Sequence, residues 1–408
     1  MGLLGGIRLG SIAGIEIVID WSLLVIFALI TFSLAVGLFP SWHPDWHPWL
    51  AWATALGAAL LFFASVLAHE LSHALAGRAK GLEIRRITLF IFGGMAHMEG
   101  EPPSWRAEFW MAIVGPLTSL VLGLGFLWLA ALVTGPLAID PANPQAALAT
   151  LGPVASLLMW LGPVNILLGV FNMVPGFPLD GGRVLRALLW GATHDLRLAT
   201  RWASRGGQGV GLLLMATGLA MMLDLHVPVF GSGVANGLWL AFVGWFLTTM
   251  AQMSYRQLLL RESLVDVPVR RLMQTQFTRI DPLIRIRKLV DEQLMPSGQR
   301  AFPVEVDGSF LGMVSLADLR KCDSSKWAST TVAEVMTPAA ALVTADPGQS
   351  ALAALELLGR RDLNQLPVIE NDALIGLLRR EDLVRWLSLH AATGAAHMRD
   401  LRNVGIPG

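Results

Sequence analysis

The stretch SVLAHELSHALAG, residues 65–77, decides how this sequence folds because it joins a charge-free run to a cluster of ionisable side chains. The run Ala51–Ala68 is eighteen residues long and has no charged residue. A helix needs roughly 20 apolar residues to cross a bilayer. His69, Glu70 and His73 follow at once. Because a charged side chain at the centre of such a helix costs roughly 2.5–3.5 kcal/mol, these residues indicate a site rather than an ordinary helix surface.

The composition divides the chain into two parts. Of its 408 residues 54% are hydrophobic and only 15% are charged, whereas soluble domains carry about 25% charged residues. Long apolar runs fill the first 250 residues, and charges become frequent after about Arg256. This predicts a membrane domain followed by a soluble domain. The net charge of zero gives no argument for nucleic acid binding, and the single cysteine, Cys322, excludes an intramolecular disulfide framework.

Six apolar segments are candidate transmembrane helices. In chain order they are Trp21–Phe39, Ala51–Ala76, Phe109–Val133, Leu151–Val174, Val210–Leu225, which is the shortest, and Val234–Met250. The connections after the second, fourth and sixth segments contain several arginines, and the others contain no Lys or Arg. By the positive-inside rule, this alternation predicts a multi-pass protein of the cell membrane with both termini cytoplasmic. The first segment, preceded only by Arg8, is predicted to be a retained span rather than a signal peptide.

The spacing of the two histidines is typical of a metal site. Residues four apart on a helix share one face, so both imidazoles of His69 and His73 can reach one zinc ion. Glu70 then lies beside the ion and can take a proton from a zinc-bound water. A catalytic zinc site requires a third protein ligand. Asp180 is the candidate because it ends another apolar run at the same predicted depth, toward the cytoplasmic face.

Asp180 belongs to a second distinctive stretch, FNMVPGFPLDGGRVLRALL, residues 171–189. Two prolines interrupt the helix ahead of the aspartate, and two glycines after it permit close backbone approach. Irregular backbone at membrane depth is tolerated where protein buries it or where it lines a wet cavity. The amide of Asn172 could orient a substrate carbonyl or stabilise an oxyanion.

An HExxH within an apolar helix, followed by N-x-x-P-x-x-P-L-D-G, resembles the site-2 protease family of intramembrane zinc metalloproteases. The resemblance covers about residues 1–225. Members of the family cleave transmembrane segments of other proteins and so release membrane-held regulators. For this chain the resemblance implies one zinc ion per chain, ligated by His69, His73 and Asp180, with Glu70 as the catalytic acid and base and Asn172 as a further catalytic residue.

The stretch EIRRITLFIFGGMAHMEG, residues 83–100, is too short and too charged to span a membrane. Its β-branched and aromatic residues predict strands that are joined or bent at Gly93 and Gly94. An unpaired strand edge beside the zinc could bind an extended substrate, in which case proline at Phe92 or Met95 should impair cleavage without loss of zinc. The alternative interpretation is an interfacial loop without a role in binding.

The last third of the chain contains an internal duplication. FPVEVDGSFLGMVSLADLR, residues 302–320, aligns with LPVIENDALIGLLRREDLV, residues 366–384, at a constant offset of 64 residues. Each copy is predicted to form a strand, a helix, two strands joined by a two-residue turn, and a final helix. The turns are Asp307–Gly308 and Asn371–Asp372. Two copies indicate a pseudo-symmetric pair rather than a long solenoid.

This pair resembles a tandem CBS-domain, or Bateman, module over residues 265–390. Such modules commonly bind adenine nucleotides (ATP, ADP or AMP) through a Ser/Thr-x-x-Asp motif at the last strand–helix junction. The first copy keeps the motif as Ser315 and Asp318, whereas the second has Arg379 in place of the hydroxyl, followed by Asp382. Arg379 could contact phosphate or occlude the site. Nucleotide binding and a purely structural or dimerising role both remain open.

The predicted fold is an α-helical polytopic membrane domain with a small β element, followed by a soluble α+β tandem CBS pair. The predicted division is 1–255 membrane domain, 256–264 linker, 265–325 first CBS repeat, 326–390 second CBS repeat and 391–408 tail. The favoured function is a zinc endopeptidase that acts on transmembrane proteins within the lipid bilayer, forms a homodimer through its CBS domains and is regulated by that cytoplasmic pair. A CBS-regulated transporter and a catalytically inactive membrane scaffold are the alternatives. Transport would require inverted repeats in the membrane half, and no duplicated hydropathy pattern is present there.

Overall fold

The computed structural model describes residues 6–91, 93–99, 101–135, 144–228, 231–296 and 299–389. The chain divides into two compact units, Met1–Arg256 and Gln257–Gly408. Phe92 and the predicted tail 391–408 lie outside the described residues.

The first unit is built from helices around a small sheet. Its helices are α1 (Trp21–Phe32), α2 (Phe39–Trp42), α3 (Pro48–Ala79), α4 (Trp105–Thr134), α5 (Pro144–Ala149), α6 (Pro153–Asn172), α7 (Asp180–Thr193), α8 (Leu196–Met222) and α9 (Val234–Val265), whose last residues belong to the second unit. A π-helical turn, Ser33–Leu38, joins α1 to α2. Short polar side chains begin the long helices: Asp20 caps α1 by accepting from Ser22 N–H, and Ser104 caps α4 by accepting from Ala107 N–H.

Among the described residues, five helices are long and apolar enough to cross a membrane. They are Trp21–Trp42, Pro48–Ala79, Trp105–Thr134, Pro153–Asn172 and Val234–Val265. The predicted fifth span lies in α8, which does not meet this composition because arginines occupy its first turns. The last helix continues through residues 256–264, so the stretch predicted to be a linker is helical.

The sheet of the first unit has four strands in the order β1 (Ile7–Ile12), β2 (Ile15–Ile19), β3 (Glu83–Phe90) and β4 (Gly93–Glu99). The β2–β3 pair is parallel and the other two pairs are antiparallel. The two strands predicted at residues 83–100 are thus present, and two strands that were not predicted, β1 and β2, extend the sheet. Arg78, at the end of α3, donates to the carbonyls of Ala13, Gly14 and Ile84 and so ties that helix to the sheet.

The second unit contains the two repeats. Its strands are β5 (Ala301–Val306), β6 (Ser309–Ser315), β7 (Thr337–Pro338), β8 (Gln365–Glu370) and β9 (Ala373–Arg379), and its helices are α10 (Ile286–Leu289), α11 (Leu316–Leu319), α12 (Val332–Val335), α13 (Ala351–Arg360) and α14 (380–389). Both predicted two-residue turns are present, and all four of their residues have positive φ, as a tight hairpin of this hand requires.

One element of each repeat is smaller than predicted. The first strand is reduced to a single parallel bridge, Ile280 to Val304 in one repeat and Ala345 to Val368 in the other. Proline follows both bridge regions, at Pro282 and Pro347, and proline cannot donate a ladder hydrogen bond. The equivalent positions of the two bridges retain the duplication that the sequence predicts.

Candidate metal centre

Three side chains that lie far apart in the sequence converge at the end of α3. The Nε2 atoms of His69 and His73 lie 3.2 Å apart, and Oδ2 of Asp180 lies 3.1 Å and 3.2 Å from them. The two histidines are buried, and the aspartate is the first residue of α7. Ligand atoms at 2.0–2.1 Å around a tetrahedral zinc ion are about 3.3 Å apart. The donor set and its spacing therefore fit one zinc ion, with a fourth position available.

The opposite nitrogens of the two imidazoles are held by α4. His73 Nδ1 lies 2.6 Å from the carbonyl oxygen of Met111, and His69 Nδ1 lies 2.8 Å from Ser119 Oγ. A carbonyl only accepts, so His73 carries its proton on Nδ1 and presents the lone pair of Nε2. Such outer contacts fix the orientation of histidine ligands. Neither partner is predictable from the sequence, because a backbone carbonyl has no residue signature and a serine in an apolar helix is common.

A glycine of α4 lies directly against the two rings. A Cβ on Gly115 would lie 2.1 Å from His73 Nε2 and 2.8 Å from His69 Nε2. No side chain fits at those separations, so glycine allows the backbone of α4 to approach the centre. This residue was also missed, because its role depends on which helix packs against α3.

The strand β4 lies against Glu70. A Cβ on Gly94 would lie 2.2 Å from Glu70 Cγ and 3.1 Å from Glu70 Oε1. Gly93 begins the strand with a φ of +121°, which favours glycine. Within the described residues no strand pairs with the outer edge of β4. The predicted edge strand therefore lies beside the predicted acid and base.

The loop before α7 is compact because glycine backbones touch. A Cβ on Gly181 would lie 2.3 Å from the Met173 carbonyl oxygen, and one on Gly182 would lie 2.3 Å from the Gly176 carbonyl carbon. Asn172, the last residue of α6, is partly buried where this loop begins. The glycines thus bring the loop back on itself and place Asp180 at the start of α7.

The first predicted nucleotide motif is engaged within its own repeat. Ser315 caps α11, and its hydroxyl donates to the Asp318 carboxylate at 2.6 Å, which also accepts from Lys321 Nζ at 3.1 Å. Burial opposes ionisation of Asp318, but the hydrogen bonds from Ser315 and Lys321 outweigh it and hold the pKa of this carboxyl below its usual value.

The second predicted motif borders a basic cleft. Arg379 donates from Nε and Nη2 to the two carboxylate oxygens of Asp382, each at 3.1 Å. A cleft of about 450 Å³ is lined by Arg300, Asn364, Gln365, Arg379, Arg380, Glu381 and Val384. Ser315 and Asp318 do not line this cleft. Three arginines and one glutamate line this cleft, and arginine is suited to binding a phosphate-bearing ligand.

Two family profiles match the chain. The profile of peptidase family M50 matches residues 57–135 and 130–216, which include both the HExxH stretch and Asp180. The profile of the CBS domain matches residues 332–389, which include the second repeat.

Two relatives are similar over nearly their whole length. Rip3 of Mycobacterium tuberculosis is 34% identical over 388 residues, 94% of this chain and 93% of that protein. The protein sll0528 of Synechocystis is 31% identical over 390 residues, 95% of this chain and 96% of that protein. Both are provisionally named zinc metalloproteases. Among solved structures, the site-2 protease from Methanocaldococcus jannaschii is 26% identical, with a TM-score of 0.40, over 62% of this chain and 95% of that chain.

Proposed function

This chain belongs to peptidase family M50, the zinc metalloproteases of the site-2 protease type, and on that premise we propose that it is an intramembrane endopeptidase. It hydrolyses peptide bonds in or near transmembrane segments of membrane-anchored regulatory proteins. The observation that carries the proposal is the convergence of His69, His73 and Asp180 beside Glu70 at the end of an apolar helix.

Each residue of the centre then has a chemical role. Through their two Nε2 atoms and one carboxylate oxygen, His69, His73 and Asp180 would hold the zinc ion, which acts as a Lewis acid toward the attacking water and the scissile carbonyl. Glu70 accepts the proton of that water and donates it to the leaving amine. The Asn172 amide orients the substrate carbonyl. The contacts from α4 fix the orientation of the two imidazoles, so these side chains need to move little during the reaction.

Substrate binds as an added strand on the outer edge of β4. The carbonyls of a helical substrate are engaged in its own hydrogen bonds, and pairing with an edge strand would hold the segment unwound. The contact of Gly94 with Glu70 supports this placement because it brings the edge to the acid and base. We expect Met95→Pro to impair cleavage while zinc content stays unchanged. Leu9→Pro, in the bulge of the opposite edge strand β1, is the control and should cleave normally.

The enzymatic proposal is tested by separating metal binding from proton transfer. Glu70→Gln should abolish cleavage while zinc remains bound, because only the proton acceptor is lost. His69→Ala and Asp180→Ala should lower both zinc content and cleavage. The measurement compares membrane-protein fragments in cells that carry the wild-type or the Glu70→Gln protein, together with the zinc content of the purified proteins. Identical fragments from both cell types would contradict the proposal and favour an inactive scaffold.

We also propose six membrane crossings, with both termini and the CBS pair in the cytoplasm. The contacts of α8 support a sixth crossing in addition to the five apolar helices. Gly211 and Gly218 of α8 lie against Gly244 and Gly237 of α9, with possible Cβ positions only 2.4–2.6 Å from the facing carbonyl oxygens. Close backbone packing of this kind is typical of helices in membranes. Labelling of single cysteines on each side of the membrane would test the topology.

The CBS pair regulates the protease by binding an adenine nucleotide, and it pairs with a second copy of the chain. The basic cleft beside Arg379 supports nucleotide binding. The candidate metal centre does not support the alternative of a CBS-regulated transporter in the same way. Two histidines with a third ligand and a proton acceptor beside them are the groups that hydrolysis needs, and transport does not need them.

A further inference from the structure

A buried ion pair joins α4 to α7 beside the candidate metal centre. Arg186 of α7 donates from Nε to Oε1 of Glu108 of α4 at 2.6 Å, and Glu108 is fully buried. A second carboxylate, Oε2 of Glu101, lies 3.4 Å from the Arg186 guanidinium. Buried charges are costly unless they are paired and hydrogen-bonded.

The same arginine contacts the loop that presents Asp180. Its guanidinium lies 5.5 Å from the centre of the Phe177 ring. Phe177 is three residues before Asp180, is buried, and donates its backbone N–H to the carbonyl of Ala203 in α8 at 3.2 Å. Arg186 therefore touches both the helix that orients the histidines and the loop that carries the third ligand.

We infer that Arg186 is a positioning residue for the metal centre, an inference that rests on the proposed function. Through Glu108 it sets the register between α4, whose Met111 and Ser119 hold the two imidazoles, and α7, whose first residue is Asp180. Arg186 is six residues along α7, about 9 Å from Asp180 along the helix axis, so it acts through the aspartate and not on the metal.

Two features favour a geometric role over a simple stabilising one. Oε2 of Glu108 is buried without a hydrogen-bond partner among the described residues, so the pair is incompletely satisfied. An incompletely satisfied buried pair adds little stability compared with an apolar pair of the same size. A guanidinium is also a rigid fork, which can bridge Glu108 and Glu101 while its face lies on Phe177. A lysine could keep the charge but not these three contacts together.

The test uses the full-length protein in detergent, with Co²⁺ as a visible probe for the zinc position. Two variants are compared with wild type: Arg186→Lys, and Arg186→Met combined with Glu108→Gln, which removes both charges at similar volume. We expect Co²⁺ affinity to fall about tenfold or more, in the range of other outer contacts to metal ligands. The intense visible absorption of four-coordinate Co²⁺ should weaken as Asp180 moves away. Arg205→Lys, whose guanidinium lies over Trp202 in α8, is the control and should bind Co²⁺ normally.

The outcomes separate this inference from the proposed function. Thermal unfolding of the metal-free proteins reports folding independently of the centre, and we expect the Arg186→Lys protein to unfold as the wild type does. If both variants bind Co²⁺ with wild-type affinity and spectrum, the positioning role is wrong while the metal centre stands. If the doubly substituted protein does not fold, Arg186→Lys decides alone. If the wild-type protein binds no more Co²⁺ than Asp180→Ala, the metal centre itself is wrong.

Discussion

Single residues of α4 determine how closely the backbone of this helix approaches the metal centre. Gly115 leaves no room for a methyl group beside His73 Nε2, and Ser119 holds the second imidazole from its far side. The Met111 carbonyl and Ser119 contact the Nδ1 atoms, which point away from Asp180, whereas Gly115 lies against the Nε2 atoms that face it. The geometry of the centre therefore depends on the absence of a side chain at position 115 as much as on the ligands themselves.

We expect Gly115→Ala to reduce zinc affinity by about 100-fold, because the added methyl must displace a histidine or shift α4. Gly125→Ala is a matched control on the same helix, where a Cβ meets nothing within 4 Å. That control should keep its zinc and gain up to about 1 kcal/mol of stability, since alanine favours a helix. The measurement is zinc content at equilibrium with a competing chelator. Equal zinc retention by the two variants would contradict the packing described for α4.

Ser119→Ala should weaken zinc binding about tenfold, since His69 loses the contact that orients its ring. The neighbouring Thr118→Ala is the control, because the Thr118 hydroxyl donates to the Val114 carbonyl within its own helix. The same chelator competition measures both affinities. If the two variants lose affinity equally, the hydroxyl of Ser119 does not hold the ring.

At this scale, the sequence predicts the residues that must be near each other but not what surrounds them. The four-residue spacing of His69 and His73, and the predicted depth of Asp180, follow from helix geometry and bilayer thickness alone. Gly115, Ser119 and Arg186 acquire their roles only when α4 packs against α3 and α7. That packing is a property of tertiary structure, and a single sequence carries no periodic signal for it.

Two further contacts between elements are made through glycine, one between a strand and a helix and one between two consecutive helices. At one, β4 lies on α3 through Gly94; at the other, α8 lies on α9 through two pairs of glycines. Strands β1 and β2 were missed because they are short and lead directly into the first apolar span, which dominates the local pattern. Their positions follow from pairing with β3, a contact across more than sixty residues.

We expect Gly94→Ala to lower cleavage at least about tenfold while zinc content stays unchanged, because the methyl must move either the edge strand or the Glu70 carboxylate. Gly57→Ala, in α3 with nothing within 4 Å of the added Cβ, is the control. Activity is followed by the appearance of membrane-protein fragments and zinc by metal analysis. Full activity in Gly94→Ala would show that the strand does not need to lie so close to Glu70.

The α8–α9 contact predicts a stability difference between two glycines of one helix. Gly218→Ala should destabilise the protein by about 1–3 kcal/mol, because its Cβ would lie 2.5 Å from the Gly237 carbonyl oxygen. Gly209→Ala, at a position of α8 where the added Cβ meets nothing within 4 Å, should not destabilise the protein. Thermal unfolding in detergent distinguishes them. Equal unfolding temperatures would mean that α8 and α9 do not pack through these glycines.

For the molecule as a whole, composition was enough to predict a membrane part and a soluble part, and the internal offset of 64 residues was enough to predict the paired repeats. Both are properties of long stretches, which local context changes little. The boundary between the two parts was harder to predict, because α9 continues as one helix through the predicted linker. The predicted nucleotide motif of the first repeat was also harder to interpret, since Ser315 and Asp318 are bonded to each other and do not line the basic cleft.

The last prediction concerns the effect of a nucleotide bound in the cleft on the stability of the whole protein. Arg379 is engaged with Asp382, whereas Arg300 is an exposed cation at the same opening. We expect ATP, ADP or AMP to raise the unfolding temperature of the full-length protein, as any ligand of the folded state does. Arg300→Gln should weaken that binding about tenfold or more, because a charge-assisted hydrogen bond contributes about 1.5–3 kcal/mol.

Arg287→Gln is the control for this change, since Arg287 is an exposed arginine of the same repeat that does not line the cleft. The measurement is the shift in unfolding temperature as each nucleotide is titrated against wild type and the two variants. A shift that is lost equally in both variants would indicate a nonspecific effect of charge. No shift with any of the three nucleotides would leave the CBS pair with a structural or dimerising role, because a ligand that binds only the folded state must stabilise it.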